Sequence, residues 1–425
     1  MDRQRMITDF GRLDECMGLG VDLLNPVQLR FTAVLDHEID GVMLTEAWER
    51  TKRVYPVLDA VLGFDRGDAN FYLIPGNFEK YRGDHLYLAQ PEGGENRPLK
   101  SKIPVRPATP AFGGRLASVS YYGNTVSFSS YHTLLDGGGM KMVFSTFLYA
   151  YFALYTGQED PEPVVELTEG RDLDAYYVSR YRDYLASLEY KPTPLYTLPR
   201  GCRGIPEPEA VNDEHVHWGA ISLPAAGFMR FCKENGANPS AMLCVLMARA
   251  TYLVHPEEQR ESVFHLTLSN RKALGLEKYI SNAIGLATVY LTREEAENRP
   301  LPESVRKIRQ DMEPQRTKDY QISFGRLFET YQHVPAYVPG TVTYVGPLDI
   351  GSSNCHITDF RMETGADRTT YLAQLNDRFL LMLQYGKATE KYIQALGRVL
   401  EDAGVSAEIT CPEMHCAKDV PAPVL

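Results

Sequence analysis

Residues Thr125–Gly157 have the sequence TVSFSSYHTLLDGGGMKMVFSTFLYAYFALYTG, in which a strand pattern changes to a helix pattern. The first side chains alternate between small or polar and apolar, which is typical of a half-buried β-strand. The preceding run 115–122 has the same character, and Gly123-Asn124 between the two runs is typical of a hairpin turn. Glycines 137–139 then precede an apolar helix predicted over about 140–155. The stretch therefore predicts a hairpin, a tight turn and a buried helix.

The predicted turn between strand and helix contains a histidine and an aspartate. His132 follows the strand directly, and Asp136 lies four residues further along the chain. An imidazole titrates near neutral pH, so His132 can remove a proton from a hydroxyl or an amine. The alternative is a buried histidine whose ring is satisfied by the backbone. We favour His132 as a general base because of its place between a strand end and a glycine-opened helix.

The segment Tyr131–Gly137, YHTLLDG, resembles the HHxxxDG signature of the CoA-dependent acyltransferase superfamily. This group includes chloramphenicol acetyltransferase, alcohol acetyltransferases and the condensation domains of nonribosomal peptide synthesis. His132 matches the second, catalytic histidine of the signature, whereas Tyr131 stands in place of the first. The resemblance implies that Tyr131 supports the site. It also implies that Asp136 forms a salt bridge that holds the histidine loop, and we favour this over a relay of charge.

Further segments resemble the same superfamily over nearly the whole chain. LTEAWERTKRVYPVLDAVL at residues 44–62 is similar to the helix and strand that open condensation-type acyltransferases, although Asp59 stands where a basic residue is common. Ser269-Asn270-Arg271 resembles the segment that supplies the partner of the motif aspartate, so Arg271 is predicted to pair with Asp136. The other similar segments are Gly236–Ser240, Asn282–Gly285 and Thr341–Gly346.

The resemblance implies an α/β fold of two chloramphenicol acetyltransferase-like lobes. Each lobe would be a mixed β-sheet flanked by helices, with an active-site tunnel between the lobes. We place the N-terminal lobe, with the HxxxDG motif, at residues 1–180, a proline-rich connector at 181–214 and the C-terminal lobe at 215–425. No internal repeat is visible in the sequence.

Residue patterns outside the central stretch predict further elements in both lobes. In the first lobe and the connector they predict strands at 26–40, 71–74 and 86–88, helices at 46–54 and 173–190, and a loop at 91–114. In the second lobe they predict strands at 215–223, 263–268, 288–291, 341–346 and 378–385, and helices at 224–235, 241–255, 301–318 and 390–402.

Acyl transfer also needs a hydrogen-bond donor opposite the base, which stabilises the oxyanion of a tetrahedral intermediate. Thr343 and Tyr344, in a predicted strand of the second lobe, are the candidates, and ordinary strand residues are the alternative. The helix predicted at 301–318 contains cations that can hold CoA phosphates, although a charge run is more often a solvated face. These cations are Arg306, Lys307, Arg309, Arg316 and Lys318.

The composition limits the class of partner. A net charge of −11 and a pI near 5.5 argue against nucleic acid and, more weakly, against docking on an acidic carrier protein. No run of about 18 apolar residues predicts a membrane span, and the first residues lack the apolar region of a signal peptide. Seven scattered cysteines are typical of a reducing compartment, so a cytoplasmic location is expected. Cys411, His415 and Cys416 form a cluster for which a metal site is the less favoured interpretation.

The sequence therefore predicts an acyltransferase of the alcohol acetyltransferase or condensation type. In this prediction acyl-CoA is a co-substrate, no cofactor is permanently bound, and His132 activates an alcohol or amine acceptor. One alternative is a carrier-protein-dependent condensation enzyme of nonribosomal peptide or lipopeptide synthesis. The other is a catalytically silent member that only binds, which the replacement of histidine by Tyr131 leaves open.

Overall fold

The structure is a computed structural model whose described residues extend from Gln28 to Cys416 with gaps. They are residues 28–59, 61–65, 85–89, 95–102, 104–105, 107, 115–132, 134–169, 184–199, 215–280, 283–328, 340–364, 368–410 and 414–416. Their α-helices are α1 (Gly41–Val54), α2 (Gly137–Thr156), α3 (Ala225–Glu234), α4 (Pro239–Val254), α5 (Arg271–Leu274), α6 (Arg293–Glu297), α7 (Leu301–Met312), α8 (Lys318–Phe328) and α9 (Thr389–Asp402). Among these helices, none has the length and apolar character that a membrane span requires.

Most of the β-strands belong to two mixed sheets. The strands are β1 (Gln28–Leu35), β2 (Val61–Asp65), β3 (His85–Ala89), β4 (Leu99–Lys100), β5 (Ala117–Tyr122), β6 (Thr125–Tyr131), β7 (His215–His217), β8 (Gly219–Pro224), β9 (Ser262–Ser269), β10 (Ile284–Leu291), β11 (Gly340–Pro347), β12 (Ile357–Thr364), β13 (Thr369–Leu375), β14 (Arg378–Gln384), β15 (Glu408–Thr410) and β16 (Met414–Cys416). The first sheet has the order β12-β1-β6-β5-β4, and the second has the order β10-β9-β11-β13-β14-β8-β15. The remaining strands form two separate pairs, β2 with β3 and β7 with β16.

The first sheet is built around the predicted hairpin of β5 and β6. The turn between these strands contains Gly123, whose positive φ of 58° is a conformation that glycine adopts at no steric cost. β1 pairs antiparallel with β6, so that Gln28 lies opposite Tyr131 and Val34 lies opposite Thr125. The start of β1 is therefore beside the histidine loop, and its end is beside the hairpin turn.

The first sheet is completed by a strand from the C-terminal half of the chain. β12 follows the second-sheet strand β11 in sequence, yet it pairs antiparallel with β1. The chain then returns to the second sheet in β13, which pairs parallel with β11. The predicted domain boundaries stay a prediction, because residues 170–183 and 200–214 lie outside the described residues. A division at residue 215 does not account for the place of β12.

Each sheet has helices packed on it, with an apolar core between. In the first core, the fully buried Trp48 of α1 lies between Phe128 of β6 and Phe147 of α2, with ring centroids 5.8 and 5.5 Å away. This core continues onto the second sheet through Tyr371 of β13 and Met382 of β14. The second core lies between the other face of the second sheet and helices that include α4 and α9. The two sheets are therefore joined by apolar packing, which is the main favourable contribution to folding.

Several element boundaries differ from the sequence predictions for local reasons. The helix predicted from Glu46 begins at Gly41, because the Asp40 carboxylate caps it by accepting two backbone N–H groups. The helix predicted over 301–318 is interrupted after α7, where Pro314 lies in a 3₁₀ turn. The strand predicted over 26–40 ends at Leu35, and the strand predicted over 215–223 is divided into β7 and β8. The predicted loop 91–114 contains the short strand β4. β12 and β13 are strands that the sequence patterns did not predict.

Two predicted elements fall on residues that the structure does not fully describe. The strand predicted over 71–74 lies outside the described residues. Of the helix predicted over 173–190, residues 184–190 are described, and 184–187 are helical.

Candidate active site

His132 lies directly after the hairpin strand β6, where the backbone turns toward α2. The N–H groups of Leu134 and Leu135 both donate to the Tyr131 carbonyl, at 3.0 and 3.3 Å, which fixes this turn. The side chain of Tyr131 is buried in the first core. This burial is compatible with a supporting role for Tyr131, which stays a prediction.

The carboxylate of Asp136 is fully buried and accepts hydrogen bonds from both lobes. Its Oδ1 accepts the Gly139 N–H at 2.8 Å and a guanidinium N–H of Arg271 at 2.6 Å, and its Oδ2 accepts the Ala283 N–H at 3.0 Å. The bond to Gly139 caps α2, so the helix begins at Gly137, three residues before the predicted start. The predicted contact between Asp136 and Arg271 is confirmed.

Arg271 extends from the end of β9 in the second lobe to the start of α2 in the first. Its other described hydrogen bonds run to backbone carbonyls, from Nε to Tyr279 at 2.5 Å and from Nη2 to Ile280 at 3.5 Å. The side chain is 8% exposed, so the ion pair with Asp136 is shielded from water and salt. The pair therefore connects the histidine loop of one lobe to a strand end of the other.

Two glycines allow the second lobe to approach the start of α2 this closely. A β-carbon at Gly138 would lie 2.7 Å from Nη1 of Arg271, and one at Gly139 would lie 1.7 Å from the carbonyl oxygen of Ile280. β-carbons essentially never come closer than 3.0 Å to other heavy atoms, so a side chain at either position would displace its neighbour. The glycine run belongs to the first turn of α2 and permits contact between the lobes, in addition to the bend that the sequence suggests.

The surroundings of His132 favour the neutral imidazole. Burial lowers the pKa of His132 below its ordinary value, while its own backbone and the charge of Asp136 partly oppose that lowering. Within the described part of the chain, the buried Nδ1 atom has no hydrogen-bond partner of good geometry. A neutral imidazole has a lone pair with which it can accept a proton from an acceptor group.

Thr343 and Tyr344, the two oxyanion candidates, lie on opposite faces of β11. Tyr344 packs on Phe379 in the second core, with ring centroids 6.1 Å apart, and burial raises its pKa. Thr343 lies opposite Tyr371 of β13, whose side chain belongs to the first core. Paired residues of neighbouring strands share a face of the sheet. Thr343 is therefore the candidate that faces the first lobe.

The chain resembles solved structures over 93–94% of its length, although no protein-family model and no curated protein matches its sequence. F. sporotrichioides TRI101, solved with coenzyme A and T-2, is 11% identical, with a TM-score of 0.60 over 93% of this chain and 98% of that chain. Polyketide synthase associated protein 5 from Mycobacterium tuberculosis is 14% identical, with a TM-score of 0.62 over 94% and 99%. The first condensation domain of the calcium-dependent antibiotic synthetase is 12% identical, with a TM-score of 0.55 over 93% and 96%.

These three proteins belong to the CoA-dependent acyltransferase superfamily. The chain has the two-lobed, chloramphenicol acetyltransferase-like fold. The resemblance predicted from YHTLLDG and the other segments is thereby confirmed for the fold, including a mixed sheet with flanking helices in each lobe. At 11–14% identity the likeness concerns the fold alone, and the chemistry has to be argued from the residues of the site.

Lys141 is a charged residue near the start of α2 that the sequence patterns did not single out. It lies on α2 one turn after Gly137, and its ammonium is 3.2 Å from the place that a β-carbon of Gly346 would occupy at the end of β11. Burial lowers the pKa of Lys141, the charge of Arg271 lowers it further, and Asp349 opposes this. The signal that could have revealed it is its spacing, because residues four apart share a face of a helix.

The cations predicted to hold CoA phosphates are solvent-exposed or bonded to neighbouring protein groups. Lys307 donates to the Tyr290 carbonyl at 3.0 Å and to Asp311 at 2.7 Å, and Arg309 donates to the Gly236 carbonyl at 2.7 Å. The exposed members are Arg306, Arg309, Arg316 and Lys318. These contacts favour the solvated-face alternative, and binding of phosphates here stays a prediction.

The predicted cysteine–histidine cluster near the end of the chain is only partly within the described residues. Cys411 lies outside them, and His415 and Cys416 belong to β16, which pairs with β7. A metal site at this cluster stays the less favoured prediction.

Proposed function

We propose that this chain transfers an acyl group from a thioester, with acyl-CoA as the donor, to an alcohol or an amine. The observation that supports this most directly is the position of His132. Its neutral imidazole follows a strand end, in a loop that the buried Asp136–Arg271 pair fixes between the lobes. The motif YHTLLDG supplies the histidine and the aspartate that the superfamily signature contains.

In the proposed reaction, His132 accepts the proton of the acceptor hydroxyl or amine as that atom attacks the thioester carbonyl carbon. The carbonyl electrons move onto oxygen, and the hydroxyl of Thr343 donates a hydrogen bond to the resulting oxyanion. When the carbonyl forms again, the carbon–sulfur bond breaks and the thiolate takes the proton from the imidazolium. The base is regenerated, and no acyl-enzyme is formed.

Asp136 has a positioning role in this proposal. Both of its carboxylate oxygens already accept hydrogen bonds, from Gly139, Arg271 and Ala283, so neither is free to take a proton from His132. Its negative charge raises the pKa of His132 somewhat, against the larger effect of burial. Asp136 therefore holds the loop in place and keeps the imidazole from losing too much basicity.

The choice of CoA as the donor rests on charge. Lys141 places a partly buried cation between the lobes, close to the start of α2, where an anionic donor can pair with it. F. sporotrichioides TRI101, which has the same fold, is solved with coenzyme A. The net charge of −11 argues against docking of an acidic carrier protein as the first step.

The test measures thiol release from acyl-CoA thioesters with a panel of alcohols and amines. We expect His132→Ala to lower kcat/KM by ~10²–10⁴-fold, which is the usual contribution of a general base. The control is His255→Ala, which removes a half-buried imidazole that bonds to Tyr392 in the second lobe and should leave turnover unchanged. Equal turnover by wild type and His132→Ala would contradict the proposed role of the base.

The same assay separates the two alternatives. Turnover that occurs only when the acyl group is attached to a carrier protein would make the chain a condensation enzyme, to which its likeness to a condensation domain also points. Binding of CoA without turnover of any donor and acceptor pair would make it a silent binding protein.

A further inference from the structure

Asp36, His37 and His356 bring three metal-ligand side chains together at the end of β1. Asp36 and His37 follow β1, and His356 directly precedes β12, the neighbour of β1 in the first sheet. Oδ1 of Asp36 is 2.5 Å from Nδ1 of His37, and Oδ2 is 2.9 Å from Nδ1 of His356. The three ligand atoms lie within 4.8 Å of one another. In the described ranges, no other group of three or more His, Cys, Asp or Glu residues is this close.

Aromatic residues at the end of α2 fix the orientation of both imidazoles. The ring of His37 stacks on Tyr155, with centroids 3.8 Å apart and planes 5° apart, and the ring of His356 stacks on Phe152 at 5.2 Å and 23°. Nε2 of His37 is 3.2 Å from the hydroxyl of Tyr151. When Nε2 donates its proton to that oxygen, Nδ1 keeps a lone pair that faces the carboxylate. Metal-binding histidines usually have their second ring nitrogen hydrogen-bonded in this way.

The cluster is open to solvent on one side. The Asp36 side chain is 42% exposed and that of His356 is 28% exposed, which leaves room for water on the open side. The ligand set is therefore two imidazole nitrogens and one carboxylate oxygen, with space for a solvent ligand.

We propose that Asp36, His37 and His356 form a binding site for a divalent transition-metal ion, of which Zn²⁺ is the representative. Imidazole ligands suit Zn²⁺, Co²⁺ and Ni²⁺, whereas Mg²⁺ and Ca²⁺ prefer sites made of oxygen alone. Two histidines, one carboxylate and one water complete a tetrahedral Zn²⁺ site. The rival interpretation is a carboxylate that simply accepts N–H groups from two imidazoles.

The site is separate from the proposed chemistry. The start of β1 lies beside the histidine loop, because Gln28 pairs with Tyr131, and the cluster lies beyond the other end of this strand, roughly 25 Å away. A metal ion there cannot contact a substrate at His132. It would link β1 to the segment that precedes β12, the strand that comes from the C-terminal half of the chain. Its effect is therefore on stability, and the inference does not depend on the acyl-transfer proposal.

The experiment titrates ZnCl₂, with MgCl₂ as a comparison, into the untagged chain by calorimetry and follows the melting temperature. Competing thiols are removed in a Cys355→Ser/Cys411→Ser/Cys416→Ser background. Cys355 is exposed beside His356, and the other two belong to the terminal cluster. We expect one Zn²⁺ per chain, a raised melting temperature, and no response to Mg²⁺. Absence of Zn²⁺ binding in this background would overturn the proposal.

Two variants and one spectrum locate the ion. His356→Ala should weaken Zn²⁺ binding by roughly tenfold or more, since loss of a ligand costs at least as much as loss of a supporting hydrogen bond. His255→Ala, which removes a histidine outside the cluster, should leave binding unchanged. Equal affinity in wild type and His356→Ala would overturn the site. If His356→Ala does not fold, the visible spectrum of the Co²⁺-loaded parent chain decides. Absorption typical of tetrahedral nitrogen and oxygen ligands supports the site, and any other spectrum overturns it.

Discussion

Asp136→Asn tests whether the ion pair between the lobes holds the loop that contains His132. The substitution keeps the shape of the side chain but removes its charge. It also replaces one accepting oxygen by a donating NH₂ group, which would then face a backbone N–H or the guanidinium of Arg271. We expect a less stable protein that has also lost activity, because the loop that contains His132 is no longer fixed to the second lobe.

The magnitude follows from the burial of the two partners. Asp136 has no exposed surface, and the side chain of Arg271 is 8% exposed, so neither group can recover its hydration when the other is lost. Removing one partner of a buried pair costs ~3–5 kcal/mol. Arg271 keeps its bonds to the carbonyls of Tyr279 and Ile280, which places the expected loss of unfolding free energy near the lower limit, about 3 kcal/mol.

A more exposed ion pair with the same shortest N···O distance is the matched control. Arg293 and Glu297 on α6 also meet at 2.6 Å, but their side chains are 26% and 29% exposed. Glu297→Gln should therefore cost less than ~1 kcal/mol. If Asp136→Asn and Glu297→Gln have the same stability, the pair does not support the fold and the reasoning from burial is refuted.

Urea unfolding can be followed with the two tryptophans of the chain. Trp48 is in the first core, and Trp218 lies under the guanidinium of Arg361 on β12, 4.8 Å from ring centroid to carbon. A Trp218→Phe background reports on the first core, and a Trp48→Phe background reports on the contact between the sheets. Because the pair joins the lobes, Asp136→Asn should lower the unfolding midpoint in both backgrounds, whereas His132→Ala should lower activity alone.

Three further predictions concern the same site. In a plot of kcat/KM against pH, the fall on the acid side should have its midpoint below pH 6.5. Burial lowers the pKa of His132, and the neutral base is lost only as the pH falls through that pKa. A midpoint at or above pH 6.5 would contradict this. Gly139→Ala should lower the free energy of unfolding, measured by thermal or urea unfolding, by roughly 1–3 kcal/mol, because the new β-carbon would overlap the Ile280 carbonyl. The control Gly227→Ala, on the exposed side of α3, should be neutral or stabilising. Lys141→Met should raise KM for acyl-CoA by roughly 10–150-fold, because a hydrogen bond to a charged group contributes about 1.5–3 kcal/mol. An equal rise for an uncharged acyl thioester would refute the pairing of Lys141 with the donor's charge.

Local patterns were sufficient for the elements around the histidine. The alternation of apolar and polar residues and the turn residues Gly123-Asn124 predict the hairpin of β5 and β6. A continuous apolar run predicts the helix α2. All of these signals act within a few residues. The predicted start of α2 was three residues too late. The Asp136 carboxylate caps the helix at Gly139, so all three glycines are helical, whereas sequence propensity alone treats a glycine run as a break. The second-lobe helices α4 and α9 were predicted for the same local reasons.

Long-range pairing explains what the sequence did not show. β12 joins the first sheet although it follows β11 in the chain, and no local pattern specifies which sheet a strand enters. The contact between Asp136 and Arg271 spans 135 residues and was predicted only because two segments resembled a known family. Asp36 and His356 are 320 residues apart and lack such a resemblance, so their contact became visible only with β12 placed beside β1. A sequence therefore reveals a distant pair when a motif specifies both partners, and otherwise the strand order has to be known first.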